Sequence, residues 1–162
     1  MRRLRVGVLA IVAVSAGTLE AQTLHVDSTT VQYGRFADQR AAILVMIQRA
    51  APRIGLGGWQ FAVVFDSVPR RPDAPPGRSA AGVLPKPQLR AAVLFFDLRE
   101  IPRYGECEIV LHELLHIRIS PVLALAYHVT QDHPIVQDMV RGEAHGFVTD
   151  LARGMAREGG CR

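Results

Sequence analysis

With 162 residues, 49% of them hydrophobic and 21% charged, the chain suits one globular domain with a real core. Its formal charge of +4 is carried mostly by scattered arginines, Lys86 being the single lysine. Beyond the first few residues only Arg70 and Arg71 are adjacent, so the clustered basic footprint with interleaved aromatics that nucleic acid requires is excluded.

Residues 1–21 read as an export signal. Arg2, Arg3 and Arg5 form a positive start, Val6 to Ala16 is an apolar run of signal length, and Ser15, Ala16 and Ala21 offer small residues for cleavage. The run is short for a membrane span. Retention as an N-terminal anchor is the alternative. Loss of this leader removes three arginines and Glu20, which leaves a mature chain of about +2. The expected location is secreted or periplasmic, with no stable membrane span after cleavage and a single domain over 22–162.

Thr23 to Tyr33 is polar and β-branched, a short strand or an extended arm. Gly34 to Ala51 predicts a helix, with Phe36, Arg40, Ile43, Ile47 and Ala50 at spacings of three and four and with Met46 as core filler. Pro52 and the glycines at 55, 57 and 58 end it. Trp59 to Phe65 predicts a strand with Trp59, Phe61, Val63 and Phe65 on one face. Ser67 to Gln88 is Pro-rich and mostly irregular, although Ser79 to Leu84 could form a short strand. Arg90 to Phe96 is apolar on both faces, which predicts a central or covered strand.

A helix is expected from about Tyr104 or Gly105 to Ile119, stopped by Ser120-Pro121, with a separate short apolar patch over Val122 to Val129. The last helix starts near Pro134, with Asp132 as the expected N-cap, and runs to about Arg157. The fold class is α+β: an N-terminal helix, a short, mostly antiparallel sheet of about three strands, and two later helices. Two cysteines, Cys107 and Cys161, make a disulfide the natural reading in an exported chain, with two free thiols as the alternative.

The chemistry sits in His112-Glu113-Leu114-Leu115-His116. On a helix, residues four apart share a face, so both imidazoles can meet one metal ion, and Glu113 lies about 100° round the axis where it can reach a water instead. Catalytic zinc takes three protein ligands and keeps one position open. Val136, Val140, Phe147 and Leu151 form an apolar stripe on the last helix, and Glu143 lies within it. A carboxylate on a core-facing stripe needs neutralising, which zinc would do. His145, Asp138 and Arg141 fall off the stripe, as surface residues should. His128, Asp132, His133 and His145 are the competing third ligands.

An HExxH helix followed, 27 residues after His116, by a glutamate on a downstream helix resembles the gluzincin branch of zincin metallopeptidases. The order of helix, strands and HExxH helix resembles the minimal members, the minigluzincins, in which the strand before the active helix can lie along an extended substrate. The resemblance covers most of the mature chain in architecture, but its specific motif is short. It implies His112, His116 and Glu143 as ligands to Zn2+, Glu113 as general base, and a peptide or protein substrate. Gluzincins often place an aspartate where Asp150 stands, to orient a zinc histidine; a surface carboxylate is the other reading of Asp150. The metzincin pattern is absent, because Ile117 to Val122 supplies neither its glycine nor its third histidine. The cytosolic HExxH proteases that cleave repressors are similar in size, but the leader points to export.

The implied activity is hydrolysis of peptide bonds by a zinc-activated water, with Glu113 shuttling the proton and Tyr104, Tyr127 or His128 as oxyanion donor. The alternative, from a different class, is an inactive zinc-binding scaffold. A third reading is a protease with a narrow target, in which Ser67 to Gln88 is a specificity loop rather than a linker.

Overall fold

A parallel pair of strands joined through a helix sets the frame. In the computed structural model, which describes residues 24–27, 36–65, 79–101 and 105–162, strand β1 (Leu24–Asp27) precedes helix α1 (Ala37–Arg53), and α1 leads to strand β2 (Gln60–Val64). β1 and β2 pair in parallel, Leu24 opposite Phe61 and Asp27 opposite Val64. A helix is the usual way to bring a chain back for a parallel partner. Strand β3 (Ala81–Lys86), a single 3-10 turn at Pro87–Leu89 and strand β4 (Ala91–Phe96) follow. The sheet order is β1-β2-β4-β3. The leader, most of the Pro-rich segment and Tyr104 lie outside the described residues.

The coarse expectation of a mixed α+β domain holds, but the sheet differs from the one expected. Among the described residues it has four strands, and β2–β4 is parallel like β1–β2, leaving β3–β4 as the antiparallel pair. The connection from β2 to β4 is long enough to return the chain to the same end of the sheet. β4 is central, as its two apolar faces suggested: Ala92, Leu94 and Phe96 are buried and the intervening residues half-buried. β3 is an edge, and Pro85 is tolerated there because an edge strand can leave one ladder position without a donor.

α1 buries Ile43, Ile47, Ala50 and Ala51 in the core and packs on the later helix of residues 106–129, with Phe36 and Met46 beside them. Arg40 crosses to the outer side of this stripe, where its guanidinium lies 4.9 Å from the Phe65 ring centre. The helix runs through Pro52 to Arg53, and Gly55 and Gly58 adopt φ of +79° and +75° to turn the chain into β2. After β4 the chain turns on Asp97, whose buried carboxylate accepts two hydrogen bonds of 2.7 Å from the Arg99 guanidinium.

Helix α2 (Glu106–Val129) is the central element. Ile109, Val110, Leu111, Leu114, Leu115 and Ile117 are all buried, so its first three turns are apolar on nearly every side. It does not stop at Pro121. A proline removes the N–H that would reach the carbonyl four residues back, here that of Ile117. The Ser120 hydroxyl donates to that same carbonyl at 2.8 Å and replaces the missing bond. The residues expected as a separate patch, Val122 to Val129, are therefore the outer half of one 24-residue helix. By length and composition α2 alone among the described residues could cross a membrane, although its inner half is core.

Four residues, Thr130 to His133, separate α2 from the antiparallel helix α3 (Pro134–Arg157). His133 rather than Asp132 is the N-cap of α3, with Pro134 in the first turn. The hairpin is fastened at both ends. Gln137 donates to the Tyr127 carbonyl near the tip, and at the base a disulfide joins Cys107 to Cys161. Arg53 adds hydrogen bonds to the carbonyls of Gly159 and Gly160.

The side of α3 turned to α2 is not the expected one. Val148 and Ala152 are buried, whereas Val136, Phe147 and Leu151 are exposed. Small residues face α2 because they let two helix backbones approach closely, and the larger stripe is left outside.

Candidate metal centre

His112 and His116 lie on consecutive turns of α2, and their Nε2 atoms are 3.0 Å apart. At 100° per residue they share the line that continues through Leu123 and Thr130 towards α3. His145 meets them from α3. Its ring centre is 4.8 Å from that of His112 and 5.5 Å from that of His116, the second pair stacked. One ligand atom from each histidine lies within 4.8 Å of the others. Three histidines are thus close enough to hold one metal ion.

The donor set can be tested against the chemistry of such an ion. Four nitrogen or oxygen donors about 2.0–2.1 Å from a tetrahedral zinc stand roughly 3.3 Å from one another. The His112–His116 pair is already near that spacing. His145 is exposed and on the rim, so a rotation of its side chain can close the remaining gap. Burial, then the neighbouring His116 and His145 rings, lower the pKa of His112 from 6.5 to about 4. It is neutral at pH 7, with a lone pair for a metal or for a proton held between the rings. The residues fit an imidazole-ligated metal.

Glu113 is buried at 7% exposure, one residue on from His112 and turned about 100° from it.

Glu143 is placed differently from the expectation. It is exposed, and it is not in the converging group. Two residues from His145 on the same helix, it points about 160° away. The two cannot serve one site, and the structure brings His145 inward. Asp150, expected either to orient a ligand or to sit on the surface, is exposed and lies 3.5 Å from Arg153. His128, Asp132 and His133 are exposed near the hairpin tip.

The continuity of α2 also removes two oxyanion candidates. Tyr127 and His128 lie eleven and twelve residues beyond His116, about 16–18 Å along the axis, farther than either side chain reaches. Tyr104 lies outside the described residues. β4, the strand before the HExxH helix, is flanked by β2 and β3 and has no free edge for a substrate.

Of the four competing third ligands, His145 is the one that converges on the pair, in place of Glu143. Large apolar residues suggest Val136, Phe147 and Leu151 as the inward side of α3, but the inward side carries Ala144, Val148 and Ala152. A usable signal exists in the hairpin count. With a four-residue connection, thirteen residues back from Val129 is His116, and eleven forward from Pro134 is His145. That count works only if α2 passes through Pro121.

Compared with protein-family models, with curated proteins and with solved structures, the chain matches none.

Proposed function

We propose that the chain is a zinc-dependent hydrolase of peptide bonds, with His112, His116 and His145 as metal ligands and Glu113 as general base. The observation that carries this reading is the arrival of a third imidazole from α3 beside the HExxH pair. Zinc held there would polarise a scissile carbonyl and lower the pKa of a water towards about 7. Glu113 accepts that water's proton and returns it to the leaving amine. The zincin resemblance supports the reaction class, although the third ligand departs from the gluzincin pattern. The disulfide supports an exported protein, since such bonds persist in oxidising compartments. β3, as the edge strand packed against α2, is where an extended peptide would add to the sheet.

The experiment is metal analysis joined to cleavage of an unfolded protein such as casein. The expected result is close to one zinc per chain, with hydrolysis that stops on chelation and returns with zinc. Glu113→Gln should keep the metal and lose about a hundredfold or more in rate. Zinc-free protein after refolding in zinc would defeat the site.

The burial of Glu113 favours a second reading, a zinc-holding module without turnover, because a general base must meet water. One bound zinc with no chelator-sensitive cleavage would select it.

A further inference from the structure

The outer half of the α2–α3 hairpin leaves an amphipathic surface uncovered. Val122, Leu125 and Val129 are 68%, 63% and 71% exposed, and Phe147 is 61% exposed, with Val136 and Leu151 also open. These six are grouped, while Ile135 and Met139, 78% and 65% exposed, lie on another side of α3. At 100° per residue the three on α2 fall within an arc of about 60°, and so do the three on α3. The α3 arc lies about 100° and the α2 arc about 125° from the line along which the helices meet. Because the helices run antiparallel, the sense of rotation reverses between them, and both arcs come out on the same side of the hairpin.

We propose that this side is a homodimer interface, on which the hairpin of a second copy of the chain packs to form a four-helix arrangement. Three observations select a second copy. The six side chains expose on the order of 600 Å², at the top of what monomers leave open and near the roughly 800 Å² per partner of a standard interface once a polar rim is added. Between Ile119 and Val140 the only charged residues are Asp132 and Asp138. A helix that lies on a lipid surface carries Lys and Arg on its polar side, whereas across 119–151 Arg141 stands against Asp132, Asp138, Glu143 and Asp150. Finally, one apolar stripe shared by two antiparallel helices is self-complementary under a two-fold axis and needs no second surface elsewhere on the molecule.

The test is sedimentation velocity of the purified chain from low to high micromolar concentration, joined to hydrogen exchange at both ends of that range. The expected result is a reversible dimer, with concentration-dependent protection confined to 119–151. Val129→Glu and Leu125→Glu should each weaken dimerisation by about tenfold or more. Leu89→Glu, at a residue 70% exposed on the far 3-10 turn, should leave it unchanged. A monomer at every concentration overturns the proposal, as does a dimer whose protection lies outside the hairpin or one that survives Val129→Glu. Monomer that floats with phosphatidylcholine vesicles would assign the surface to lipid and overturn it too. If the glutamate variants do not fold, hydrogen exchange on the unaltered chain decides alone.

Discussion

His145 and Glu143 stand two residues apart on one helix, and the choice between them is geometric. His145 lies within ligand distance of His112 and His116, while Glu143 points to solvent. His145→Ala should therefore weaken zinc binding by two orders of magnitude or so, and Glu143→Ala should leave it within a few-fold. Competition with a chromogenic chelator measures both, and the reverse ranking would return the ligand role to Glu143. His112 gives a second check. Its pKa is lowered from 6.5 to about 4, so below pH 6.5 the unfolded chain takes up this proton and the folded chain does not. The corresponding stability is present above pH 6.5 and is lost as pH falls towards 4. Thermal melts in chelator should show the unaltered protein losing ground to His112→Asn over that window. Parallel curves for the two would show that His112 is not held neutral by the fold.

At the level of elements, α2 shows how one side-chain bond changes a topology. Ser120-Pro121 reads as a helix stop, because proline lacks the donor that the Ile117 carbonyl expects. The Ser120 hydroxyl at 2.8 Å answers that carbonyl, and helix continues to Val129. Ser120→Ala should cost about 1 kcal/mol in urea unfolding and raise hydrogen exchange from Ser120 outward. No loss of stability would mean that packing against α3 alone carries the helix through the proline. The strands show the opposite case. Alternation in Trp59 to Phe65 and the doubly apolar run from Arg90 to Phe96 marked β2 and β4 correctly, since burial on one or two faces is written into the residues themselves. Their pairing was not, because parallel or antiparallel alignment depends on where the connections return the chain.

Over the whole molecule, the hairpin that carries the three converging histidines is secured at its base by Cys107–Cys161, whose loop spans 54 positions. A bridge of that length stabilises by about 4 kcal/mol in the chain-entropy model. Replacing both cysteines by serine should lower the urea midpoint accordingly and make zinc affinity weaker, because the three histidines are divided between α2 and α3. An unchanged midpoint would show that Arg53 and the core hold the tail without the bridge.

The sequence by itself determined what depends on local spacing: a helix presenting His112 and His116 on one side with Glu113 beside them, two strands, and a cysteine pair fit to bridge. It also showed a genuine apolar stripe on α3. Only the tertiary structure decided which way that stripe turns. Close packing of two helices favours small residues at the contact, so Ala144, Val148 and Ala152 face α2, His145 comes in with them, and the larger residues with Glu143 are left facing out. Periodicity reports that a helix has two unlike sides; which of them meets a neighbour is set by the neighbour.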